Sequence, residues 1–331
     1  MRIALDAMGG DHAPVETVHG AVWAARDFGV TVQLVGQPEV LEAELSNHEC
    51  DGLNLPIIPA TEIITMEEHP SAAVKKKKDS SMVVGLRNVK TGESDAFVTA
   101  GNSGGALVAA LFGLGRISGI KRPALSTVFP NQSDHGFCFL LDVGANTDVR
   151  PEFLHQFALM GHYYAERVLN IPNPRVGLLS TGEEEEKGNS LIHEVTPLLK
   201  GSDLNFVGNI EGKDITAGLA DVVVTDGFTG NVYIKGAEGV ARMIQDILEK
   251  EIKRRPMALV GALFARGAIR ALRTQLDYRE FGGGPLLGVN GVVIIAHGRS
   301  DAYAIRNAIR VAKQAAENDI VQAVKNGLSN Q

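Results

Sequence analysis

The chain has 331 residues, 44% of them hydrophobic and 21% charged, with a formal net charge of −7. Such a balance belongs to a soluble globular protein with a large core; it excludes a disordered chain and argues against a general nucleic-acid partner, which needs a broad basic face. Cys50 and Cys138 show no metal-ligand spacing, no secretion signal opens the chain, and no apolar run approaches ~18 residues, so a cytoplasmic protein without metal or disulfides is expected.

"RIALDAMG" reads as a first strand and residues 15–28 as a helix; "VTVQLVG" and a helix near 38–45 follow. Later strand-like runs are "LPIIPA", "DAFVTAG", "LSTVFP", "CFLLDVG", "RVGLLSTG", "NFVGNI", "DVVVTDG" and "GVVIIAHG". Helical patterns fall near 71–89, 103–113, 151–169, 188–200, 229–252 and 300–327. This alternation predicts an α/β protein: a doubly wound, mainly parallel sheet with helices on both faces. No composition shift separates two domains, so residues 1–331 read as one unit, and "NIPNPR" (170–175) is the best hinge candidate.

Five strands run straight into glycine or polar turns: "DAMGGDHAP", "TAGNSGG", "LDVGAN", "STGEEEEKGNS" and "TDGFTGN". If the carboxyl ends of the strands share one edge, these turns converge on one crevice. Small and neutral residues there, with helix N-termini, suit phosphate or another oxyanion. The candidates are Gly9, Gly10, Asp11, His12, Asn102, Ser103, Gly104, Asn146, Gly188, Asn189, Thr229 and Gly230; singly, each turn reads equally as a tight βα connection.

A dinucleotide fingerprint, a Walker loop and a Gly-x-Ser-x-Gly elbow are all absent, so neither a nucleotide cofactor nor a serine hydrolase is expected. Glu184–Glu186 read as solvated, but Lys187 leads into a glycine before a helix and could orient a phosphate or polarise a carbonyl. Asn231 could do neutral work of the same kind. His12 and His297 sit in glycine-flanked turns as donors, acid–base groups or plain structural histidines. "KKKK" (75–78), before Asp79, Ser80 and Ser81, is a solvated helix face or a phosphate clamp.

Residues 253–276 carry Lys253, Arg254, Arg255, Arg266, Arg270 and Arg273 without an acid, and Pro256 suits a helix start. Arg266, Arg270 and Arg273 share one helical face, with Ala265, Ile269, Leu272 and Leu276 beside it. The pattern fits a projecting basic amphipathic segment for a membrane surface or an acidic partner, or a dimer helix whose arginines snorkel.

These blocks resemble the PlsX family, the acyl-carrier-protein:phosphate acyltransferases of bacterial phospholipid synthesis. The similar stretches run from "MRIALDAMGGDHAP" through "KKDSSM", "TAGNSGG", "LLDVGAN", "GEEEEKGN" and "DGFTGNV" to "GGGPLLGVNGVVIIAHG". The resemblance implies transfer of a fatty acyl group from acyl carrier protein to inorganic phosphate, with no cofactor, on an isopropylmalate dehydrogenase-like fold shared with phosphotransacetylase. It further implies a homodimer, catalytic roles for Lys187 and Asn231, and membrane contact by the basic segment, where a glycerol-phosphate acyltransferase takes the product. Ser103, Gly105 and Arg299 depart from the family pattern. An acyl-CoA-dependent relative of phosphotransacetylase and a non-catalytic membrane scaffold are the alternatives.

Overall fold

The computed structural model describes residues 1–268, 270 and 277–329. Eleven strands join in one sheet. Its first half is parallel, in the order β3 (Ile57–Pro59), β2 (Thr31–Gly36), β1 (Arg2–Asp6), β4 (Ala96–Thr99), β11 (Val292–Ala296). Its second half is also parallel: β6 (Phe137–Leu141), β9 (Val222–Val224), β7 (Val176–Leu179), β8 (Phe206–Ile210). Between them lie β10 (Gly283–Leu287) and β5 (Ala124–Pro130), whose pairings with each other and with their outer neighbours are antiparallel.

Three successive antiparallel pairings reverse the chain direction, so the two parallel halves run opposite ways. Their carboxyl ends therefore lie at opposite ends of the central strands: Ala296 faces Gly283 at the start of β10, whereas Leu141 faces Ser126 near the start of β5. The expectation that all five polar turns share one edge is corrected by this arrangement. Each half follows the parallel rule, but β10 was invisible as a strand in "GGGPLLG", and with it the reversal.

Both faces of the sheet are covered, as the near-continuous apolar strands require. Side chains alternate between the faces: Ile3, Leu5, Ala96 and Val98 enter one core, and Ala4 and Phe97 enter another. The second half repeats this, with Phe139, Leu141, Val222 and Val224 on the first face and Cys138, Leu140 and Val223 on the other. A single core thus spans the first face beneath α1 (Val15–Phe28), α6 (Pro151–Arg167), α7 (Ser190–Lys200), α11 (Ala302–Glu317) and α12 (Ile320–Ser329). On the second face the core is split, one part under α3 (Pro70–Lys76), α4 (Ser81–Thr91) and α5 (Ser103–Gly113), the other against Tyr233 and Ile234 of α9 (Gly227–Arg254).

Two short helices complete the set: α2 (Pro38–Leu45), begun by a proline at its first turn, and α8 (Gly212–Ala217), held by a reciprocal Glu211–Asp214 capping box. α10 (Pro256–Phe264) begins at Pro256 as expected and buries none of its residues. Ala265 ends it, and helical backbone resumes at 266–268. Arg273, Ile269, Leu272 and Leu276 lie outside the described residues. Residues 170–175 connect α6 to β7 inside the second half, so they do not join the two halves.

Candidate active site

The polar turns form two groups. In the first, the turn after β1 meets those after β4 and β11: Asp11 N–H donates to the Gly298 carbonyl at 2.8 Å, and a Cβ on Gly10 would touch Ala100 and that same carbonyl. Gly9 passes over the Asp6 carboxyl so closely that a Cβ would lie 2.4 Å from its Oδ2. Asp6 is buried and accepts from the Thr99 hydroxyl at 2.8 Å. Burial pushes its carboxyl above the ordinary range although hydroxyl and backbone donors pull the other way.

Asn102 is committed to holding this group together. Its Oδ1 caps α5 by accepting from Gly105 N–H, and its Nδ2 donates to the carbonyls of Thr65, Met66 and Glu68. Ser103 stays exposed at the start of α5, Gly104 packs on Pro70, and Asp11 and His12 are exposed in the first turn. The lysine run divides: Lys75, Lys76 and Lys78 are exposed, whereas Lys77 bonds Glu68 and the Ile63 carbonyl at 2.6 Å each. That lysine with buried Ser80 and Ser81 makes "KKDSS" a brace for the 61–68 segment.

The second group surrounds Asp142. This fully buried carboxylate accepts from the N–H groups of Leu125, Gly144, Ala145 and Asn146 and from Asn146 Nδ2. Burial still lifts it above the usual carboxylate value against the donors from Gly144, Ala145 and Asn146. Asn146, spent on Asp142 and on the Pro123 carbonyl, offers its backbone oxygen to Gly227 N–H at 2.7 Å. The answering close approach is Gly230, where a Cβ would sit 2.0 Å from the Asp142 carbonyl oxygen. Only glycine lets α9 begin this close to the β6 turn.

A cleft opens between the Thr147–Val149 turn, Asn189 and Leu191 of the α7 start, and Asp226, Phe228 and Thr229 of the α9 start. Asn189 caps α7 by accepting from Ile192 N–H at 3.1 Å, and Asp226 caps α9 by accepting both the N–H and the hydroxyl of Thr229. Gly188, with φ at +108°, turns the chain into α7 where a side chain would be strained. Lys187 is exposed two residues before Asn189, its stem lying over Gly182. Asn231 is exposed on the first turns of α9, across from Gly144. Each thus lies two residues in sequence from a residue that lines the cleft, Lys187 before Asn189 and Asn231 after Thr229.

Glu183, Glu211 and Asp214 bring carboxylate oxygens within 4.8 Å of one another. Lys213 pairs with the first two and Asp214 serves the α8 capping box, so the cluster is engaged and partly neutralised within its own chain.

The two groups are joined by α9, a helix the sequence showed near 229–252 but whose bridging position it did not. Asn231, Lys235 and Glu238 lie on one face of this helix, four and three residues apart. Lys235 Nζ lies 3.3 Å from His297 Nε2, and Glu238 pairs with Lys235 at 3.2 Å and with Arg299 at 3.8 Å. The i, i+4, i+7 spacing was readable, but its partners after β11 were not. His297 is held below its ordinary value by burial first, then by the Lys235 and Arg299 charges, against Glu238 and Asp11.

The fold alone defines a class. A phosphotransacetylase from Streptococcus pyogenes superposes with a TM-score of 0.68 at 18% identity, covering 96% of this chain and 94% of that one. A 4-hydroxythreonine-4-phosphate dehydrogenase from Klebsiella pneumoniae gives 0.54 at 12% identity, over 96% and 98%. The sheet is therefore the α/β architecture that those two enzymes share. Sequence is more specific: residues 1–323 match the family described as "Fatty acid synthesis protein". The phosphate acyltransferase of Heliobacterium modesticaldum is 50% identical over 98% of this chain and 97% of its own, and that of Endomicrobium trichonymphae 49% over 99% and 98%. The chain belongs to this family of phosphate acyltransferases, enzymes of lipid synthesis.

Proposed function

We propose that the protein moves a long-chain fatty acyl group from acyl carrier protein to inorganic phosphate, releasing an acyl phosphate for phosphatidic acid synthesis. The observation that carries this reading is the cleft between the starts of α7 and α9, with exposed Lys187 and Asn231 each two residues in sequence from its lining. Phosphate is its own nucleophile in this reaction, so the cleft has to position two anions rather than activate a side chain. Lys187 stabilises charge on the phosphate or on the oxyanion that forms at the thioester carbon. Asn231 donates a hydrogen bond to the same group. Thr229, Gly230, Gly188, Asn189 and Asn146 shape the floor and orient the two helix starts toward the anion. Gly9, Gly10, Asp11, His12, Asn102, Ser103 and Gly104 belong to the first group of turns, which α9 links to this cleft through Lys235 and His297, and we assign them to substrate binding there. Cys138 is buried with its thiol pushed up to about 12 by burial, which suits a scheme without a cysteine nucleophile.

The rest of the proposal concerns what approaches. Residues 1–331 act as one catalytic unit with 253–276 as a projecting arm. Along α9 the residues Val240, Met243, Ile244, Ile247 and Leu248 are exposed, and on α10 Met257, Leu263 and Phe264 are 82%, 70% and 88% exposed. We assign the α9 stripe to a homodimer and the α10 end to peripheral contact with a membrane, where a glycerol-phosphate acyltransferase accepts the product. Arg254, Arg255, Arg266 and Arg270, all exposed, steer the acidic carrier or anionic lipid, together with Arg273. No helix among the described residues is long and apolar enough to cross a membrane.

The test is to follow thiol release and hydroxylamine-trappable acyl phosphate with palmitoyl-carrier protein and with palmitoyl-CoA, each with and without phosphate. Phosphate-dependent product from the carrier thioester, faster than from CoA, is expected. Equal or faster use of CoA would overturn the assigned donor, and absence of acyl phosphate from both would overturn the reaction.

A further inference from the structure

We propose that His297 is the proton carrier of this acyl transfer, taking the proton of the attacking phosphate and delivering it to the departing sulfur, with Lys235 as its positioning cation. The inference rests on the proposed reaction and adds the one step its balance requires. Hydrogen phosphate brings an O–H; when its oxygen bonds the acyl carbon and the C–S bond breaks, sulfur leaves with the electron pair. An alkyl thiolate has a conjugate-acid pKa near ~8.5, so at neutral pH it is released more easily as the thiol. One proton therefore travels from phosphate oxygen to sulfur, and no other reactant is consumed. Neither Lys187 nor Asn231 is suited to carry that proton, since one works as a charge and the other cannot titrate.

His297 stands where the two halves of the sheet come together. It follows β11, and Lys235 reaches it from the helix face that carries Asn231, one turn or about 6 Å along the axis. Lys235 Nζ at Nε2 and the Arg299 N–H at Nδ1, 3.3 and 3.4 Å away, approach a ring that offers a single lone pair when neutral. The charged groups facing the ring are Lys235 and Glu238 from α9, Arg299 from its own turn and Asp11 from the β1 turn. Burial and the two cations hold the imidazole below its ordinary value, which favours the neutral ring that can accept a proton.

A His297→Gln variant tests this with two donors: an alkyl thioester, and an aryl thioester whose thiolate leaves without protonation. Expected with the alkyl donor is a loss of about 10²–10⁴-fold in kcat, the usual range for acid–base catalysis, with KM for phosphate nearly unchanged. With the aryl donor the variant recovers most of the wild-type rate. Equal losses with both donors would contradict proton delivery to the sulfur, and an undiminished alkyl rate would remove His297 from the reaction. Wild-type protein assayed in parallel separates the two levels: if it makes no acyl phosphate, the reaction itself fails and this role fails with it. Lys235→Gln, on the exposed helix face, raises the His297 pKa, so the acid limb of the pH–rate profile moves to higher pH. A limb that stays in place would contradict the pairing.

Discussion

Lys187 and Asn231 carry the sharpest demands on single side chains. Replacing either by alanine removes one stabilising group from the anion, and a drop of about 10²-fold or more in turnover is expected in the thioester assay. Near-normal rates in either variant would end its assigned role. Gly230 makes a different prediction, because its constraint is steric. Gly230→Ala places a methyl against the Asp142 carbonyl, and a loss of about 1–3 kcal/mol in denaturant unfolding is expected, with activity falling as α9 is displaced. A third residue-scale test lies away from the cleft, where Arg175 grips Asp221 with two side-chain bonds and its own backbone N–H. Burial would raise the Asp221 carboxyl, but the Arg175 bonds together draw it below its ordinary value. A depressed folded pKa contributes stability above about pH 4 and loses it as pH falls further. Arg175→Ala is therefore expected to cost about 1–3 kcal/mol at pH 7, at the lower end because the guanidinium is 40% exposed, and to cost much less at pH 3.

Among the elements, those with long apolar periodicity were legible and those built by close packing were not. Helices over 15–28, 38–45 and 103–113 match the observed bounds, since proline starts, glycine stops and an asparagine cap are local signals. The pattern at 71–89 is two helices because Lys77 turns inward to Glu68 and Asp79 is held by Thr61, leaving Ser80 extended as the next cap. The pattern at 300–327 also breaks, at Asp319, whose φ is +44°. β10 defeats propensity: it carries Pro285 and two glycines, and Gly284 is required because a Cβ would sit 2.0 Å from the Ser126 carbonyl oxygen. α9 spans about 42 Å, yet only Gly227 and Gly230 are buried along it, so packing within the chain does not account for its outer stripe. Changing Met257, Leu263 and Phe264 to serine is expected to abolish sedimentation with anionic vesicles while leaving transfer from a soluble donor unchanged. Undiminished vesicle binding would move the membrane contact elsewhere.

For the whole molecule, the residue types of the turns were legible in the sequence but their arrangement was not. Glycine, asparagine and lysine at strand ends stand out in the sequence, although they also serve as tight turns, caps and braces, as Asn102, Asn189 and Lys77 do. Which turns meet depends on the reversal through β10 and β5, and that is decided by register across distant segments. The same reversal makes α9 the bridge between the groups and brings Lys235 and Glu238 to His297 and Arg299. The central claim is that phosphate attacks the thioester directly in the cleft between the starts of α7 and α9. It is tested most directly by a single-turnover rapid quench with excess enzyme over palmitoyl-carrier protein, with and without phosphate, following thiol, acyl phosphate and protein mass together. Direct attack predicts thiol release only with phosphate, matched one-to-one by acyl phosphate, and no mass gained by the protein. Thiol released without phosphate, with the acyl group left on the chain, would contradict it.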